Sequence, residues 1–247
     1  TTEIYTLSLH DALPIWNETG YIKTEFETDV FYNGIKCSTR NTETFLKTSP
    51  SLKNCDYRAL EKTIYDLKNE KLLFYSLEKI WKSSLLGQNQ LFFGENSLKA
   101  NFIYGDQENS KASFPLRDGI TIVTDYFSLL NLLIKNYSHP SVIFAMDAKQ
   151  VEPNLTEVPL YKMSIIPKGS SNLQIEGKKW FAHLFLLEFG ETSLTFAVSL
   201  KTGTLLQISD KKTEMLISLS NRKSIFNSGK EKSEKSELTH SIPVLLR

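Results

Sequence analysis

The sequence predicts an α+β fold that is mainly β: a curved antiparallel sheet, half-barrel-like, packed on one or two helices. From Pro159 onward, short alternating segments follow one another with short turns between them, the pattern of an antiparallel meander. An Asn-Gly pair closes an alternating segment near the start, and one mid-chain stretch switches to helical period.

In Tyr21–Tyr32, Ile22, Phe26, Val30 and Tyr32 share one face with Thr24 and Thr28, while Lys23, Glu25, Glu27 and Asp29 take the other. Period two with a charged face marks a half-solvated strand. Asn33-Gly34 suits the positive φ of a type I′ turn, so Ile35–Phe45 is the returning strand. In Asp56–Lys68, Leu60, Ile64 and Leu67 recur at helical spacing behind Asn54 and Asp56, either of which can cap, and this predicts a helix. Leu73, Phe74, Leu77, Ile80 and Trp81 also fit a helical face, although their aromatic content suits a strand as well.

Gln90–Asp106 reads as a hairpin turning at Gly94-Glu95-Asn96, and Gly105–Ser113 as a polar loop. A short strand at Ile120–Val123 precedes a helix capped by Thr124 or Asp125, with Tyr126, Leu129, Leu130 and Leu133 on one face. It ends by His139-Pro140, because proline disfavours helical geometry in the residue before it. The strands that follow are Leu160–Pro167, Lys178–Phe189, Thr192–Leu200, Thr204–Ser209 and Glu214–Leu219.

The 247 residues carry 29 Lys and Arg against 28 Asp and Glu, with 40% apolar residues, which excludes disorder for the bulk of the chain. No apolar run approaches the ~20 residues of a membrane-spanning helix, and the balanced charge gives no electrostatic reason to expect nucleic acid. Residues 1–15, TTEIYTLSLHDALPI, back-translate in one frame to a common short-read sequencing adapter and are expected to be non-native. The natural N-terminus is then expected to be missing, and with it any view of a signal peptide. Residues 16–220 are expected to form one β-rich domain. Residues 221–247 form a charged, low-complexity tail that ends in the apolar run Ile242–Leu246, which can dock back as an edge strand.

The motifs of common chemistries are missing. There is no G-x-S-x-G, no phosphate loop, no C-x-x-C and no H-E-x-x-H, so no catalytic residue, metal ligand or cofactor is assigned. His183 lies in an apolar strand and reads as a hydrogen-bonded core or sheet-face histidine, while His139 precedes proline in a turn and reads as solvated. Glu25, Glu27 and Asp29 form an acidic row that reads as the wet face of a strand. Cys37 and Cys55 either pair, which would suit an oxidising compartment, or remain two thiols; the sequence leaves both open.

Lys178–Phe189 is apolar on both faces: Trp180, Ala182, Leu184 and Leu186 on one, Phe181, Phe185, Leu187 and Phe189 on the other. Such a strand is covered on both sides, or one side lines a cavity. On the second reading the candidate ligand-binding residues are Trp180, Phe181, Phe185, Phe189 and Phe196.

Three stretches, ETDVFYNGIKCSTRNTETF, FPLRDGITIVTDYFSLLNLLIKN and FAVSLKTGTLLQIS, resemble a class of bacterial envelope proteins known as domain of unknown function 3108. These proteins are related in shape to lipoprotein carriers. The resemblance implies a strongly curved antiparallel sheet around one or more helices, export to the periplasm or cell envelope, and no established activity. The expected function is therefore non-enzymatic binding of a hydrophobic ligand or lipid in the curved sheet. One alternative is an assembly module that pairs through an edge strand, and another is a hydrolase whose site is contiguous only in space, using His139 or His183.

Overall fold

Asn33 and Gly34 adopt φ of 50° and 79° and close a hairpin at the turn the sequence predicts. The computed structural model describes residues 2–11, 17–47, 56–105, 109–190, 192–210, 215–219, 239–241 and 244–246. The first wall is an antiparallel meander of β2 (Asn17–Tyr32), β3 (Ile35–Lys47), β4 (Asp56–Asp66), β5 (Lys71–Trp81), β6 (Ser84–Phe93), β7 (Ser97–Ile103) and β8 (Ser110–Pro115). The second wall starts with β9 (Thr121–Val123), which pairs in parallel with β10 (Ser141–Asp147) across the helix α1 (Tyr126–Lys135). It continues antiparallel through β11 (Tyr161–Ile175), β12 (Lys178–Phe189), β13 (Thr192–Ser199), β14 (Thr204–Asp210) and β15 (Met215–Leu219). β1 (Thr2–Asp11) lies between β2 and β15, antiparallel to both. The tail strands β16 (Thr239–Ser241) and β17 (Val244–Leu246) run parallel to β1, and β17 also pairs with β15, so the end of the tail docks back.

The result is mainly β with a single α-helix among the described residues, and the sheet curls until its two walls face each other. One core joins β11–β15 and α1 with Ile22 of β2; Phe185, Phe196, Leu187 and Leu133 in it are fully buried. The second joins β4–β8 with Met146 of β10 and with Ala148, Val151 and Val158 of the following segment. Residues from the far wall thus complete each core. Between β8 and β9 there is no ladder among the described residues; a backbone bond from Leu116 N–H to the Asn96 carbonyl (3.0 Å) spans the turn there.

Several expectations fail for physical reasons. Asp56–Lys68 and Leu73–Trp81 are strands, not helices. In β4 the inward positions include Glu61 and Thr63, both buried, whereas of the apolar residues that look helical only Ile64 is buried, Leu60 is half-buried and Leu67 is exposed beyond the strand. In β5, Tyr75 and Leu77 point into the core while Phe74 meets Phe92 and Tyr32 elsewhere, giving a strand apolar on both sides. Gly105–Ser113 is not all loop, since β8 begins at Ser110, and Ser141–Asp147 adds a strand that the sequence reading lacks. A β-bulge between Glu27 and Val30, with Asp29 at φ 65°, turns Val30 and Tyr32 to the face opposite Ile22 and Phe26. Cys37 is a buried free thiol whose Sγ donates to the Ile35 carbonyl (3.2 Å). Cys55 and the tail segment Ser228–Glu237 lie outside the described residues.

Phe185 and Phe196 face each other across β12 and β13 without solvent exposure, whereas Phe181 is 58% exposed. Truncating Phe185 to Ala is expected to cost about 3–5 kcal/mol, and Phe181→Ala no more than about 0.5 kcal/mol. Urea unfolding of the two variants checks this, and equal losses would contradict the placement.

Candidate functional site

The inward face of the first wall changes character at β3 and β4. One cross-strand row runs Phe26, Arg40, Thr63, Tyr75, Leu91, Ala100; the next runs Thr24, Thr42, Glu61, Leu77, Asn89, Phe102. The positions nearest β3 are polar or charged, yet Thr24, Arg40, Thr42, Glu61 and Thr63 are all buried. Buried charges must be paired, and here the partners come from the opposite wall.

Arg40 Nη2 lies 3.0 Å from Asp125 Oδ1 and donates to Thr124 Oγ1 at 2.8 Å and Tyr65 Oη at 3.4 Å. Asp125 is also the N-cap of α1, accepting from Ser128 N–H (2.8 Å), while Ser128 Oγ accepts from the Asp125 backbone N–H (3.3 Å), a capping box. Thr42 Oγ1 donates to Asp125 Oδ2 at 3.4 Å. Burial works against the Arg40 charge, but Asp125, Tyr65 and Glu61 outweigh it and raise its pKa, so it stays a cation. Lower in the barrel, Glu61 accepts from Lys149 Nζ at 2.8 Å and from the Tyr75 hydroxyl at 2.9 Å. Burial pushes the Glu61 carboxyl up, and Lys149 and Tyr75 offset this only in part.

Above this network a cavity of about 750 Å³ opens at the end of the barrel that carries the β4–β5 and β6–β7 turns. Phe26, Leu72, Phe93, Ile120, Ile122 and Leu132 supply apolar wall; Asp66, Glu70, Lys71, Arg117 and Lys135 are charged residues of its lining. Arg40 and Tyr65 also line it. The guanidinium sits 6.0 Å from the Phe26 ring centre and 5.6 Å from that of Tyr65. Arg40 Nε is buried and has no hydrogen-bond partner.

The five residues proposed from sequence for ligand binding are not at this cavity. Phe185 and Phe196 belong to the first core, with Trp180 and Phe189 half-buried against it. Phe181 stands exposed, its ring edge-on to His183 at 5.3 Å. Leu184 and Leu186 are half-buried, so the ribbon is not shielded on both sides as expected. The acidic row pairs with lysines instead of converging: Glu25 with Lys23 and Asp29 with Lys36, each at 2.6 Å. Among the described residues no group of acidic, histidine or cysteine side chains is arranged to hold a metal ion, and no helix is long and apolar enough to cross a membrane. No side-chain hydrogen bond or ion pair joins His139 or His183 to a serine or a carboxylate among the described residues, although the backbone of His183 pairs with Ser170 in the β11–β12 ladder.

No family model matches the chain, and no curated protein is similar to it in sequence. A solved structure does share its fold. It is the crystal structure of a beta-barrel-like protein of domain of unknown function DUF1849 from Brucella abortus, at TM-score 0.56 and 9% identity, covering 87% of this chain and 92% of that one. The chain is therefore similar in architecture to an uncharacterised barrel-like domain.

Because Glu61 has a higher pKa folded than unfolded, the native state binds its proton more readily. The contribution of this group is fully present below the unfolded value of about 4.3 and is lost as pH rises through the raised folded value. Urea midpoints measured from about pH 4 upward for wild type and Glu61→Gln should diverge in that sense, with wild type losing stability relative to the variant as pH rises. A constant difference would show that Glu61 titrates normally.

Proposed function

We propose that this is an exported bacterial envelope protein that holds a hydrophobic or lipid-like ligand in its curled sheet without acting on it chemically. The carrying observation is the roughly 750 Å³ cavity at the barrel mouth, whose apolar walls and charged rim suit a molecule with a greasy body and a polar end. Its volume falls within the range usual for small-molecule sites. The barrel-like neighbour supports the architecture, and the resemblance to domain of unknown function 3108 supports export to the periplasm or envelope.

The apolar ribbon around Phe185 takes a different part in this reading from the one its sequence suggests. It builds the core on which α1 rests, and α1 in turn contributes Leu132 and Ser128 to the cavity.

The protein, delipidated under denaturing conditions and refolded, is expected to bind the neutral fluorescent probe N-phenyl-1-naphthylamine with saturable enhancement. Ile120→Trp, which fills the mouth from a loop position, should weaken that binding at least about tenfold, equivalent to about 1.4 kcal/mol. No saturable binding to wild type, together with no acyl species in extracts of the purified protein, would remove the proposal.

A further inference from the structure

We infer that the lip of the mouth docks on an anionic lipid bilayer, with the cross-strand row Phe31, Lys36 and Leu67 entering the head-group layer. The inference deepens the proposed lipid-binding reading and rests on it. Directly opposed residues of an antiparallel pair share a face. Arg40 and Ser38 of β3 oppose Thr63 and Tyr65 of β4 on the inward face. Two residues further along, the Leu67 N–H donates to the Lys36 carbonyl (3.2 Å), and Phe31 of β2 opposes Lys36. The row therefore continues the inner wall outward, and Leu67 belongs to the cavity lining as well. Here the wall is no longer covered: Phe31 is 72% and Leu67 41% exposed. Ile35, exposed too, shares a shallow hollow with Lys36 and Leu67.

Bare apolar side chains at hairpin tips mark an interaction surface, and aromatic rings beside lysines suit the interface of a membrane. Charge agrees with an anionic surface. Asp29 and Glu70 are matched by Lys36 and Lys135, and Asp66 accepts from the backbone N–H groups of Lys68 and Asn69. Lys68 and Lys71 form no ion pair among the described residues. The other wall brings the same chemistry to this end. β9 leaves the mouth, β10 runs parallel to it and β11 returns, so the β11–β12 turn lies at the mouth end. Lys178, Lys179 and Phe181 are exposed there. A bilayer meets such separate tips with one continuous surface, and it is also a source of the amphiphile that the cavity suits.

Flotation with phosphatidylglycerol–phosphatidylethanolamine vesicles tests the assignment. Wild type should float with them, should stay behind with phosphatidylcholine vesicles, and should be released in about 0.5 M salt. Phe31→Ser should lower the partition coefficient at least about fivefold. Because Phe31 lies outside the cavity lining, that variant should bind N-phenyl-1-naphthylamine in solution as wild type does. Leu86 is exposed near the β5–β6 turn at the opposite end and also lies outside the lining, so Leu86→Ser should float like wild type. Absence of flotation, equal flotation with phosphatidylcholine, or equal behaviour of Phe31→Ser and Leu86→Ser would overturn the inference. Probe binding without flotation refutes the docking alone, whereas flotation without probe binding refutes the underlying lipid-binding reading.

Discussion

The buried ion pair between Arg40 and Asp125 is the constraint around which the barrel is arranged. A charge removed from water is tolerated only with a partner in good geometry, and neither residue finds one on its own wall. Arg40 projects from β3 in the first wall, while Asp125 caps the helix that packs on the second. The same carboxylate stabilises the first turn of α1 and holds the guanidinium, so helix position and wall-to-wall distance are set together. Moving the helix would expose Leu129 and Leu133 from one core and leave Arg40 uncompensated beside the other.

The two apolar cores are consequently joined by a polar layer and not by continuous packing. Thr24, Thr42, Glu61 and Thr63 line this layer, and Lys149 reaches into it from the segment that closes the opposite end of the barrel. Hydrophobic contact alone is non-directional, whereas paired charges and directed hydrogen bonds favour one arrangement. Arg40, a cation of this layer, also lines the mouth cavity.

Much of the framework was legible in the sequence. The Asn33-Gly34 hairpin, the turn at Gly94–Asn96, the capped helix after Asp125 and the closing meander all stand where local propensity places them. The site was not legible, and one bulge explains much of this. Counting back from a two-residue turn at Asn33-Gly34 puts Arg40 opposite Glu27, on the charged face of the hairpin. The extra residue at Thr28-Asp29 shifts the register, so that Arg40 pairs with Phe26 and turns inward. The helical reading of β4 failed for a related reason: a core-facing strand that carries Glu61 and Thr63 has no apolar alternation to detect. The phenylalanine-rich ribbon was visible because it is apolar, and that apolarity belongs to packing.

A double-mutant cycle on Arg40→Met and Asp125→Asn, read by urea unfolding, tests the central claim most directly, since Asn retains the cap oxygen and only the charge is removed. Each single change should cost about 3–5 kcal/mol, and the double variant should be more stable than the sum of those losses by at least about 1 kcal/mol. Additive losses, or single variants as stable as wild type, would contradict an account in which this pair holds the two walls together.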